Sequence, residues 1–228
     1  VIDNNFITNL FNIKKYKLSL FSNFFDINKT KGISITNFDF IKKETGIICG
    51  IISAAVYQKK AGVNILLYGK PGTGKTELAY SVMKLLGVKS VIIKNYFRDY
   101  NRRKDEDRFI YYKLCQRVYK NIENICVVFD ESDSVLNTSS HFFVRSGEYK
   151  NKSEIIEALE TNIIPCVWIV NDIDNIPDSI KRRFSYSLKF DDLPMKTAEK
   201  IVKKQIAMSQ LPESLDGNKI TDYIIRNK

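Results

Sequence analysis

The chain contains a single histidine, His141, in a polar stretch with no metal-ligating neighbours. Its four cysteines, Cys49, Cys115, Cys126 and Cys166, include no C-x-x-C pair. That scarcity leaves no ligand set for zinc or haem. Cys126 and Cys166 sit inside apolar runs, where a reduced thiol behaves as a small hydrophobe, so a reducing, cytoplasmic setting is expected. Long hydrophobic runs are also missing. The longest fall well short of the ~20 apolar residues that a membrane-spanning helix needs, which argues against a membrane partner. Asp3, Asn4 and Asn5 stand where a secretory signal would need an apolar stretch. No methionine opens the chain at Val1, which implies a piece of a longer protein.

A localised charge is absent too. The net charge of +10 invites a nucleic-acid partner. A nucleic-acid footprint, however, is gathered into one stripe or patch. Here Lys, Ile and Asn make up about a third of the residues and are spread along the whole chain, as an AT-rich coding sequence would spread them. Nucleic acid is therefore the lesser reading. With 44% hydrophobic residues, 228 residues suffice for one large domain, or a domain and part of a second.

What is present is an alternation. Five short apolar runs, "NILLY" (64–68), "SVIIK" (90–94), "ICVVF" (125–129), "IPCVWIV" (164–170) and "YSLKF" (186–190), read as buried strands. Between them lie amphipathic stretches at 76–87, 108–122 and 152–161, and another helix is expected over 39–60. Strands alternating with helices predict an α/β fold with a five-stranded, parallel, doubly wound sheet. Residues 1–38 read as a helical or irregular extension, 39–193 as the α/β nucleotide-binding domain, and 194–228 as the start of a small helical lid, with helices over 195–210 and from 219.

Two of these strands end in chemistry. "GKPGTGKT", Gly69 to Thr76, fits the phosphate-binding loop G-x-x-x-x-G-K-[ST] between a strand and a helix. Its glycines let backbone N–H groups close around phosphates at a helix N-terminus. Lys75 can reach the β- and γ-phosphates of a nucleoside triphosphate, and the Thr76 hydroxyl can bind Mg²⁺. Lys70, Pro71, Gly72, Thr73, Gly74 and Glu77 complete the expected nucleotide-contacting set. About fifty residues on, "ICVVFDES" ends an apolar strand in two carboxylates, where open α/β sheets place their ligand sites. Asp130 suits the organisation of a metal ion, and Glu131 the activation of water. Asn171 tips a third strand; it reads either as a neutral group facing the nucleotide or as a turn residue in "ND".

The phosphate loop, the D-E strand, the Asn-tipped strand and then "PDSIKRRF" (177–184) together resemble the AAA+ ATPases, on the AAA side of that superfamily. The likeness spans about residues 35–210 and is greatest to a group of poorly characterised bacterial AAA proteins. It implies a P-loop NTPase that binds ATP with Mg²⁺ at Thr76 and Asp130. It implies Lys75 and Glu131 as catalytic groups, Asn171 as sensor 1, and Arg182 and Arg183 as arginine fingers reaching a neighbouring subunit's nucleotide. A ring, usually a hexamer, follows from that last role. Residues 35–41 would lie near the adenine.

Two features depart from the family pattern. The segment "NYFRDYNRRKDEDRF" (95–109) has aromatic residues but no glycine where protein-threading members carry an aromatic–hydrophobic–Gly pore loop. A sensor-2 arginine is not identifiable, and 141–153 reads as a surface loop. The implied function is ATP-driven remodelling of a macromolecule, with protein favoured over nucleic acid. A nucleotide-gated scaffold and a DNA-associated ATPase are the alternatives.

Overall fold

The computed structural model describes residues 24–28, 32–93, 105–137, 152–192, and Ala198, Glu199 and Lys203. Most of the expected lid, residues 141–151 of the expected 141–153 loop and most of the 95–109 segment lie outside the described residues. So do residues 1–23.

A six-stranded sheet runs in the order β1-β3-β4-β5-β2-β6. Its strands are β1 (Phe25–Asn28), β2 (Asn64–Gly69), β3 (Lys89–Ile93), β4 (Ile125–Phe129), β5 (Cys166–Val170) and β6 (Tyr186–Phe190). The five expected strands are all present and mutually parallel. β1 is the addition to the expected five: it pairs antiparallel with β3, Phe25 opposite Ile93. A four-residue strand alternating Phe-Asp-Ile-Asn has no signature of its own, and only pairing to a distant partner makes it a strand. It covers the edge of β3, where unpaired backbone groups would otherwise be presented.

Parallel strands require crossovers, and helices cover both faces. The helices are α1 (Lys42–Gln58), α2 (Lys75–Leu86), α3 (Asp105–Val118), α4 (Asp133–Leu136), α5 (Lys152–Thr161) and α6 (Asp178–Lys181). On one face Ile48 and Ile52 of α1 and Leu78, Val82 and Met83 of α2 pack with Ile65, Leu67, Val128, Val167 and Ile169. On the other, Tyr112 and Cys115 of α3 and Ile155 and Leu159 of α5 pack with Leu66, Val127, Phe129, Trp168 and Val170. Alternate residues of one strand therefore serve opposite layers, and β4 and β5 are buried at every position. β6, at the edge, buries Leu188 and Phe190 and exposes Ser187 and Lys189.

Local chemistry sets the ends of these elements. α2 stops at Gly87, whose φ of 64° allows the Gly87 and Val88 N–H groups to bond back to Lys84 and Met83 carbonyls. The helix expected from residue 39 begins instead at Lys42. Ile35–Ile41 forms a 3-10 segment broken at Phe38, in a stretch carrying Thr36, Asn37 and Asp39, residue types that disfavour a helix interior. The cysteines Cys115, Cys126 and Cys166 are buried and reduced, and burial pushes their thiols up, so they act as core hydrophobes. Among the described residues no helix is long and apolar enough to cross a membrane.

Below the sheet's amino ends, one polar residue ties three elements. Asn64 is fully buried; its Nδ2 donates to the Leu159 carbonyl (2.6 Å) and to Asn162 Oδ1 (2.9 Å), while its Oδ1 accepts from Trp168 Nε1 (2.9 Å). Leaving a buried donor or acceptor without its partner costs about 1–3 kcal/mol. Asn64→Ala orphans an indole N–H and a carbonyl at once, and is expected to destabilise the fold by roughly 2–4 kcal/mol, read as a lower urea midpoint.

Candidate active site

The loop from Gly69 to Thr76 grows directly out of the sheet. Gly69, the last residue of β2, lies level with Phe190 of β6. Its φ is 133°, and a Cβ there would stand 2.2 Å from the Phe190 carbonyl oxygen, so only glycine fits. Gly74, at φ 96°, turns the chain into α2. Thr73 Oγ1 donates to the Lys70 carbonyl (2.8 Å), closing the loop on itself, and exposed Lys70 pairs with Asp192 (2.6 Å). Pro71 and Gly72 form the exposed rim.

Lys75 is only 5% exposed, and its ammonium lies inside the loop, donating to the carbonyls of Gly69 (2.5 Å) and Lys70 (2.7 Å). Burial pushes its pKa below the ordinary lysine value; Asp130 and Asp133 pull it back up. A cation held by neutral carbonyls beside two carboxylates is arranged to exchange those carbonyls for anionic oxygens.

Asp130, just past β4, is bound through both oxygens. Its Oδ2 accepts from Thr76 Oγ1 (2.8 Å), and its Oδ1 accepts from the Glu131 N–H (2.8 Å). Glu131 is exposed and adopts a left-handed backbone, φ 48°. Ser132 turns back onto β5, its N–H and Oγ both donating to the Ile169 carbonyl (2.9 Å each). Asp133 Oδ1 accepts from the backbone N–H groups of Asn171 (2.7 Å) and Asp172 (3.0 Å), which fixes the start of the loop after β5. A cavity of about 390 Å³ results, lined by Pro71, Gly72, Gly74, Lys75, Thr76, Glu77, Asp130, Glu131, Ile169 and Asn171. That is the size range of small-molecule sites.

Glu77 has a second attachment: its Oε1 accepts from the Ile33 N–H (2.7 Å), tying the segment before α1 to α2. Lys84 adds a bond to the Gly32 carbonyl (2.8 Å). Phe38, in the 35–41 segment, is buried with its ring 3.7 Å from where a Gly74 Cβ would lie, so that segment packs against the loop.

The two arginines do not line the cavity. The connector from Asn171 is stiffened by Asp172, which accepts from the Asp174 N–H (2.9 Å) and from Asn175 Nδ2 (2.5 Å), and is anchored by buried Ile176 and Ile180. Beyond it the arginines diverge. Arg183 Nε donates to Glu160 Oε1 of α5 (2.6 Å), whereas the Arg182 side chain is exposed.

Among the described residues no group of three or more His, Cys, Asp or Glu could hold a metal unaided. The Thr76 hydroxyl and the Asp130 carboxylate are adjacent hard oxygen donors. One carboxylate and one hydroxyl suit Mg²⁺, which keeps waters and completes its shell with substrate phosphates. The donor set fits.

Three residues that shape this region escape sequence reasoning. Asp133 carries a faint signal, a further carboxylate three positions after Asp130 in "FDESDS". Arg108, buried against β4, and Glu160 carry none, because each matters only through a partner more than twenty residues away.

Lys75→Ala removes a buried, charge-assisted donor worth about 3 kcal/mol, so ATP affinity is expected to fall on the order of 10²-fold by calorimetric titration. Unchanged affinity would refute the phosphate-loop reading.

No curated protein matches the chain in sequence. Among solved structures, the fold is similar to the FIGL-1 AAA domain in complex with ADP, with a TM-score of 0.61 at 16% identity, covering 94% of this chain and 74% of that one. It is also similar to katanin, in a structure on the basis of its self-assembly, with a TM-score of 0.63 at 13% identity, covering 93% and 73%. Both establish likeness of fold. Residues 65–192, more than half of the chain, match the sequence model of the ATPase family associated with various cellular activities, and the chain belongs to that AAA family.

Proposed function

We propose that this AAA ATPase holds ATP and Mg²⁺ in the cavity between α2 and the tips of β4 and β5, and couples hydrolysis within a ring to the rearrangement of a macromolecule, protein in preference to nucleic acid. The observation that carries the reading is the Thr76–Asp130 hydrogen bond of 2.8 Å. It joins the loop after β2 to the tip of β4, with Glu131 and Asn171 facing the same space.

On this reading the backbone N–H groups of Gly72 to Thr76 take the phosphates at the α2 N-terminus. Lys75 leaves the Gly69 and Lys70 carbonyls for the β- and γ-phosphate oxygens. Thr76 and Asp130 would hold Mg²⁺, whose charge offsets that of the phosphates. Glu131 accepts the proton of the attacking water, and the Asn171 amide orients that water or the γ-phosphate without adding charge. Cleavage of the β–γ bond spreads negative charge over equatorial oxygens, which a guanidinium fork stabilises.

The arginines divide this work. Arg183 belongs to its own subunit, paired with Glu160. Exposed Arg182 is the finger offered to a neighbour. A ring assembly is the arrangement in which it has a nucleotide to reach, and the self-assembly of katanin, a protein of similar fold, supports that arrangement.

Glu131→Gln is expected to bind ATP within a few-fold of the parent and hydrolyse it about 10²–10⁴-fold more slowly. Turnover near the parent rate would show that another group takes the proton. Arg182→Ala should lose about 10³-fold in the assembled protein, and regain part of it when mixed with Lys75→Ala subunits. Arg183→Ala should retain more activity than Arg182→Ala; the reverse order would exchange their roles.

A further inference from the structure

The geometry points to Arg108 as the positioning residue for Glu131, a role that rests on the reading of Glu131 as the group that activates water. Arg108 lies in the first turn of α3 and is 1% exposed. Its guanidinium lies 5.0 Å from the Phe129 ring centroid. Its Nη2 donates to the Asp130 carbonyl, and its Nη1 to the Glu131 carbonyl (2.8 Å). One fork thus holds two consecutive backbone carbonyls at the end of β4.

Two successive carbonyls aimed at one point repel each other, and a non-glycine residue seldom adopts the left-handed backbone found at Glu131, φ 48°. A planar cation with parallel donors meets both needs: it satisfies the carbonyls together and holds the turn between them. The other end of that turn is fixed by Asp130 Oδ1, which accepts the Glu131 N–H. The Glu131 side chain therefore leaves a backbone gripped on both sides, and its direction into the cavity follows from that grip. The groups that would hold phosphate lie on other elements, joined to this turn only through the hydrogen bond from Thr76 Oγ1 to Asp130 Oδ2. Lys75 is held by Gly69 and Lys70, and Thr76 stands on α2.

Loss of the fork should then act on turnover and leave nucleotide binding alone. A carboxylate displaced by about 1 Å can lose on the order of 10²-fold in rate. Lysine retains the charge but cannot bridge two carbonyls in one plane, so Arg108→Lys should recover only part of that loss.

The test is a double-mutant cycle in the full-length, assembled protein, with Arg108→Gln, Arg108→Lys, Glu131→Gln and the two combinations. Single-turnover ATP hydrolysis, the Kd of a fluorescent ATP analogue and the thermal midpoint are measured for each. Arg108→Gln is expected to lower the rate on the order of 10²-fold with the Kd within about threefold of the parent. In the Glu131→Gln background the same change should lower the residual rate by less than about twofold, because the group it positions is already gone. An equal fractional loss in both backgrounds, an unchanged rate in Arg108→Gln, or a loss confined to Kd would overturn the proposal. If Arg108→Gln fails to fold, Arg108→Lys carries the same cycle with the same criteria. Parent-like hydrolysis by Glu131→Gln would instead remove the reading of Glu131, and the proposal with it, a result distinct from a failure of Arg108 alone.

Discussion

The site depends on one constraint: the central strands are parallel and buried on both faces. β4 and β5 have no exposed position along their length, so their first polar residues appear only after the carboxyl tips. The parallel sense brings every tip to one edge. Register then sets their heights, with Tyr68 level with Val170 and Phe129 level with Trp168. The phosphate loop, Asp130 and Asn171 are neighbours because the parallel strands carrying them end at the same edge, β4 about two residues short of β5. Close approach is limited by Gly69 against Phe190, where any side chain would force β2 and β6 apart and tilt the loop.

On that platform, charges are directed mainly at backbone. Asp133 accepts N–H groups at the head of the Asn171 loop, Glu77 accepts the Ile33 N–H, and Arg108 donates to the carbonyls around Glu131. A charged partner makes the strongest of ordinary hydrogen bonds, and a backbone partner cannot rotate away. Turns that would be soft are thereby held in single conformations. Lys75 is the exception in kind: it rests on two carbonyls that a phosphate can replace, and its depressed pKa follows from burial that a phosphate would compensate.

The connector from Asn171 to the arginines extends this logic outward. It is short, self-bonded at Asp172 and pinned by Ile176 and Ile180, which together fix where α6 begins relative to the β5 tip. Glu160 holds Arg183 at its far end, leaving Arg182 directed to solvent. In the proposed ring, that difference leaves Arg182 the freer of the two to reach a neighbour.

Much of this architecture is legible in the order of the amino acids. Apolar runs of the right length locate five strands within a residue or two, and "GKPGTGKT" and "FDES" mark the two strand ends that line the cavity, because period and spacing are properties of adjacent residues. Cys126 and Cys166 lie in the core, as their apolar neighbours imply. β1 is not legible, since Phe25–Asn28 becomes a strand only by lying against β3. Nor is the start of α1, where turn-forming side chains around Phe38 override an apparent helical run. The sequence by itself determined five of the six strands and which polar motifs stand at their carboxyl tips. Only the tertiary structure decided that Arg108 grips the turn at Glu131 and that Arg183 is held by Glu160 while Arg182 is not. Those pairings join residues 23 positions apart, and no local periodicity encodes which of two identical neighbouring side chains finds a distant partner.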